Sequence, residues 1–214
     1  MTETSREALL SAAFVKLADT LIDDFDVVDP LQTLVEECVR IFDTEAAGLM
    51  LANADGALEL VASTSEEAKL VEIMQLSAGG GPCIECYRSG VAVAVADLDG
   101  VGRQWPEFRA EALVQGFRSV YAAPMRLRGT IIGTLNLLGT SATTLTQRDA
   151  DGVQALADAA TIGILQERLV RESRTVTEQL NRALTSRIFI EQAKGVLSET
   201  ESMSMDEAFT IMRS

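Results

Sequence analysis

The chain has 214 residues, 47% hydrophobic and 23% charged, which allows one domain with an appendage or two small domains; aromatics supply only 5%, so the core must be largely aliphatic. A net charge of −14 excludes a surface that grips nucleic acid or a membrane non-specifically, because neutralising phosphates takes Lys and Arg. The absence of histidine removes the commonest general base and metal ligand, and three cysteines do not make a disulfide scaffold.

Met1 to Ser5 are polar, without the basic start and apolar run of a secretion signal, and no apolar run is long enough to span a bilayer. A cytoplasmic protein without membrane contact is expected. Leu9, Leu10, Ala13, Phe14, Leu17 and Leu21 then recur on one helical face across residues 6–23. Asp29 can cap, and Pro30 can open, a second helix carrying Leu34, Val35, Cys38, Val39 and Phe42. Two strand-like runs, residues 46–52 and 58–63, flank Asp55-Gly56 and predict a β-hairpin.

A short helix is expected over residues 66–76, followed by a loop at Gly79-Gly80-Gly81-Pro82. The glycines lack the Gly-Lys-Ser/Thr ending of a phosphate loop; they read as a lid over a pocket or as a plain connector. Pro82 to Arg88 should make one or two helical turns ended by Gly90, residues 91–95 a buried strand, and residues 106–115 a helix. Residues 118–127 and 130–138 predict a second hairpin, turning at Arg128-Gly129. From Thr146 onward no proline interrupts the pattern. Ile162, Leu165, Leu169, Val176 and Leu180 form a seam suited to a partner helix, and polar flanks such as Arg171 and Glu172 favour a coiled coil between two subunits. The sum is an α+β fold, five or six mostly antiparallel strands with helix layers around one sheet.

Cys83-Ile84-Glu85-Cys86 puts two thiols three residues apart. Zinc wants four N or S ligands and only Cys38 remains, so no metal site is expected. A helix N-terminus would lower a thiol pKa and suit a redox pair; the other reading is two small buried hydrophobes in a pocket wall. Trp105 can stack on a ligand or anchor its loop. Asp97 and Asp99 have no nucleophile or base beside them, so no catalytic residue and no enzyme is expected.

The run Gly80-Gly81-Pro82-Cys83-Ile84-Glu85-Cys86-Tyr87-Arg88-Ser89-Gly90, with Val91-Ala92-Val93 and Asp97-Leu98, resembles the central stretch of GAF domains in bacterial GAF–ANTAR regulators. Residues 116–125 and 132–137 look like the paired fifth and sixth strands of that fold. Cys83 belongs to the family pattern, whereas Cys86 stands where a small apolar residue is usual. The resemblance implies a GAF-type antiparallel sheet flanked by helices over 1–170, and a ligand pocket lined by Cys83, Cys86, Trp105, Tyr121 and Asn136. It implies a small-molecule ligand without naming it or any cofactor; without histidine, a His-ligated haem is excluded.

Residues 183–197, with Gln192-Ala193-Lys194-Gly195, resemble the first helix of ANTAR domains. Residues 204–213 resemble the second, with Ser204 as N-cap and Glu207 at the capping-box position. A coiled-coil connector over 171–182 and a partial all-α ANTAR module over 183–214 follow. Family members continue into a third helix that carries much of the RNA-contacting surface, so a chain ending at Ser214 is expected to have lost part of it. Residues 183–214 hold three cations against five carboxylates, a net of −2, so RNA contact must come from grouped cations: Arg187, Lys194 and Arg213. Ala193 and Gly195 are expected to permit close helix packing. The implied function is transcription antitermination through RNA stem-loops by a homodimer joined at its terminal helices. The alternative is a ligand- or redox-sensing dimer that works through protein partners.

Overall fold

The computed structural model describes residues 3–20, 28–200 and 204–213, in two compact units spanning Met1–Leu165 and Gln166–Ser214. In the first unit, α1 (Glu3–Thr20) and α2 (Val28–Phe42) precede β1 (Ala46–Ala52) and β2 (Leu58–Ser63); then come α3 (Glu66–Ala78), α4 (Pro82–Ser89), β3 (Val93–Val95), a 3-10 turn at Leu98–Gly100, and α5 (Pro106–Val114). The long hairpin β4 (Ser119–Leu127) and β5 (Thr130–Gly139) follows, and α6 (Gln147–Thr200) leaves it. The second unit holds the rest of α6 and α7 (Met205–Arg213).

The five strands form one antiparallel sheet in the order β2-β1-β5-β4-β3. Side chains alternate across a strand, so each strand feeds two cores. One face carries Ala47, Leu49, Leu51, Ala123, Met125, Leu135 and Leu137 against α1, α2 and the first turns of α6, through Leu34, Val35, Ile41, Val153, Leu156 and Ile164. The other face carries Ala46, Met50, Val120, Ala122 and Leu138 against α3, α4 and α5, through Ala68, Val71, Cys83, Cys86, Phe108 and Ala112.

The helix expected over residues 66–76 and its glycine-rich exit are both present. Ser65 caps α3 by accepting the Ala68 N–H at 3.1 Å, and Gly79 ends that helix in the left-handed region at φ +66. The glycine run is therefore a helix stop joined to a helix start, since Gly81 precedes Pro82 at the first turn of α4. α2 begins at Val28, placing Asp29 in its first turn rather than at the cap; Leu21 lies outside the described residues. The strand expected at 91–95 is shorter and less buried: β3 is a three-residue edge strand, Val91 is exposed, and only Val95 is buried. An edge strand has a neighbour on one side only, so apolar content alone overstates its burial.

α6 runs unbroken from 147 to 200, through both the expected connector and the first tail helix. Along the predicted seam Ile162 and Leu169 are exposed and Leu165 is half-buried; the side chains of Val176 and Leu180 lie outside the described ones. At α7 the capping box forms as read, with Glu207 Oε2 accepting from the Ser204 N–H at 2.8 Å and Ser204 Oγ accepting from the Glu207 N–H at 3.3 Å. Among the described residues no helix is long and apolar enough to cross a membrane.

Candidate functional site

The sheet face turned towards α3 and α4 holds a polar cluster sealed from solvent. α3 buries Ala68, Val71, Glu72 and Gln75, a stripe at helical spacing whose lower half is polar. Glu72 Oε1 accepts a hydrogen bond from Asn136 Nδ2 of β5, and Glu72 Oε2 accepts from Gln75 Nε2 at 2.8 Å. Gln75 in turn fixes α4: its Oε1 accepts the Cys83 N–H at 3.1 Å, and its Nε2 lies 3.1 Å from Cys83 Sγ. The Cys83 thiol sits 3.9 Å from Glu72 Oε2.

Two glycines make room for this. Gly48 pairs with Asn136 across β1 and β5, and a Cβ there would fall 2.7 Å from Glu72 Oε1. A Cβ on Gly81 would fall 2.4 Å from Gln75 Oε1. Both positions serve the close approach of a polar side chain to backbone.

Burial pushes the Glu72 carboxyl up to about 8, against the hydrogen bonds from Asn136, Gln75 and Cys83 that favour its charged form. At neutral pH it is therefore mostly protonated. The cluster is incompletely satisfied: Thr134 Oγ1 and Asn136 Oδ1, two residues apart on β5, are buried without a hydrogen-bond partner among the described residues. A buried polar atom without a partner costs about 1–3 kcal/mol.

The structure divides the five sequence-predicted pocket residues. Cys83, Cys86 and Asn136 lie on this face. Trp105 lies in the adjoining core, its ring edge-on to Phe108 at 6.5 Å between centroids, so it anchors its loop against α5. Tyr121 packs with the opposite core, beyond the sheet from Asn136. Both thiols of the Cys-x-x-Cys are buried: desolvation raises Cys83 well above the ordinary range, helped by the Glu72 carboxyl, and pushes Cys86 up to about 12. Cys86 Sγ donates to the Ala122 carbonyl at 3.4 Å. Desolvation here outweighs any lowering from the start of α4. Among the described residues no group of three or more His, Cys, Asp or Glu side chains is placed to hold a metal ion.

Sequence reasoning missed Glu72, Gln75 and Thr134. The signal was an inverted stripe on α3, where Leu70 and Ile73 face solvent while Glu72 and Gln75 are buried. In the tail, Lys194 Nζ lies 5.3 Å from the centre of the Phe209 ring, linking α6 to α7 by a cation–π contact. The side chains of Arg187 and Arg213 lie outside the described ones.

The family model of the GAF domain matches residues 26–164, and that of the ANTAR domain matches residues 178–214. Among solved structures, the chain is similar to the free methionine-R-sulfoxide reductase of Neisseria meningitidis in complex with its substrate, at 18% identity and a TM-score of 0.60, over 79% of this chain and 95% of that one. It is similar to the GAF domain of an Acinetobacter phosphoenolpyruvate-protein phosphotransferase, at 14% identity and 0.59, over 79% and 98%. It is also similar to the GAF domain of the cyanobacteriochrome TePixJ, at 16% identity and 0.57, over 70% and 95%. At these identities the likeness is one of fold. No curated protein sequence matches the chain.

Proposed function

Because the chain belongs to the GAF domain family over residues 26–164 and carries an ANTAR domain over 178–214, we propose that it is a signal-responsive antiterminator whose ANTAR helices bind RNA stem-loops under control of the GAF domain. GAF domains are sensory and ANTAR domains are RNA-binding antiterminator modules, so a sensory and a regulatory part share one chain. The observation that carries the coupling is α6. Its Val153, Leu156, Ala160 and Ile164 are buried against the sheet, and the same helix continues into the ANTAR segment.

The signal enters at the Glu72 cluster. A small polar ligand that satisfies Thr134 Oγ1 and Asn136 Oδ1 competes for groups now tied to Glu72 and Gln75. Loosening Gln75 releases α4 at Cys83. The two thiols act here as neutral packing groups, and the protein works as a regulator rather than as an enzyme. Two copies associate through α6, where Ile162 and Leu169 leave apolar surface exposed.

RNA binding is tested by fluorescence anisotropy of the full chain with a two-stem-loop RNA and a single-stranded control of equal length. The expected result is preference for the stem-loops and an affinity that falls with salt, as contacts to phosphate require. Equal binding of both RNAs, or of neither, would overturn it. Hydrogen exchange on residues 165–185, compared between the parent and Glu72→Gln, tests the coupling; identical exchange in the two would overturn it.

A further inference from the structure

A second recess lies at the end of the sheet on the side of Tyr121, away from the Glu72 cluster. It is a cleft of about 270 Å³ between the start of α1, the turn from α2 into β1, the strand ends of β4 and β5, and the loop leading into α6. That volume matches about nine waters at about 30 Å³ each, the size of a single sugar ring. Phe42, Leu137 and Leu145 give it an apolar wall, and Tyr121 an aromatic one.

Its polar lining is unevenly used. Arg6 pairs with Asp149 at 2.7 Å, and Asp149 Oδ2 also accepts from Thr146 Oγ1 at 2.8 Å. The Arg6 Nε–H, by contrast, is buried without a partner among the described residues. The Ser119, Tyr121, Ser141 and Thr144 hydroxyls line the cleft and make no hydrogen bond to the protein among the described residues. Asp43 and Glu45 add two carboxylates beside the Arg6–Asp149 pair, so the lining carries a net charge of −2.

We propose that this cleft is a binding site for a small cationic polyol of the aminosugar class. The ring's apolar face packs on the Phe42 and Tyr121 side, its hydroxyls exchange hydrogen bonds with the Ser119, Tyr121, Ser141 and Thr144 hydroxyls, and its ammonium faces the acidic rim. A phosphorylated or carboxylated sugar meets like charge there and is rejected. Ser141 to Thr146 form one wall and lead directly into α6, so occupancy bears on the start of the helix that carries the regulatory segment.

Isothermal titration of the full chain with D-glucosamine, D-glucose and D-glucose 6-phosphate tests this. The expected order is glucosamine tightest, glucose weaker by several-fold, and glucose 6-phosphate at least about tenfold weaker than glucosamine. Thr144 is exposed, so Thr144→Lys places a cation at the mouth without entering the core; it should weaken glucosamine at least about tenfold and leave the melting temperature unchanged. Thr144→Ser should bind as the parent does. Equal affinity for the three sugars, tighter binding of the phosphate, no saturable glucosamine binding, or binding undiminished in Thr144→Lys would each overturn the assignment.

Discussion

Replacing Glu72 by Gln removes the one buried carboxyl of the candidate site while keeping its shape, and its consequence can be worked as a pH dependence. A carboxyl whose pKa rises on folding holds its proton more tightly in the native state. Stability is therefore full below the ordinary value of 4.5 and falls as pH rises through the window up to about 8. One pH unit inside that window corresponds to about 1.4 kcal/mol, so Glu72 removes about 3–4 kcal/mol between about pH 5 and about pH 8.

Among the described residues no other group with a shifted pKa acts inside that window. The chain has no histidine. Glu37, Glu45 and Asp97 have lowered pKa values and act only below it. Cys38, Cys83 and Cys86 are raised in the native state, so their effect begins only near the ordinary thiol value, above it. Urea unfolding followed by Trp105, the single tryptophan and a member of the first unit, reports the relevant core. The parent should lose stability steadily between about pH 5 and about pH 8, and Glu72→Gln should stay flat within about 1 kcal/mol. Parallel curves for the two proteins would refute the burial argument.

Gly48→Ala would put a methyl against the Glu72 carboxyl and is expected to cost about 1–3 kcal/mol in the same unfolding assay. Native protein at mildly alkaline pH should react with iodoacetamide at least about a hundredfold more slowly than urea-unfolded protein at all three cysteines, because burial keeps the thiols protonated. A fast native adduct on Cys83 would revive the redox reading. Ser204→Ala removes the acceptor of the Glu207 N–H and should cost about 1 kcal/mol of α7 stability, seen as lost helical circular dichroism on mild heating. Gly81→Ala should displace Gln75 and raise the exchange rate of the Cys83 amide, which a purely local effect on the loop would leave alone.

Much of the fold is legible locally because its signals are local. Asp55-Gly56 and Arg128-Gly129 turn the two hairpins, Ser65 and Gly79 bound α3, Pro82 and Gly90 bound α4, and Ser204 with Glu207 opens α7. Each depends on backbone geometry within a few residues, which composition alone can demand. Continuity of α6 is legible in the unbroken pattern after Thr146, where polarity changes without any helix stop.

What the sequence determined by itself is the order and type of the main elements and several of their ends, together with the resemblance that the family match bears out. What only the tertiary structure decided is which side chains meet. Alternation places Tyr121 on one side of β4, but its relation to Asn136 depends on register: Tyr121 pairs with Leu137 and Ala122 with Asn136, so the two predicted pocket residues face opposite cores. The same holds for α3, whose pattern fits either face until β5 offers Asn136 and β1 offers the gap at Gly48. A buried carboxyl is tolerable only where distant strands supply its donors, and no spacing along one helix contains that information.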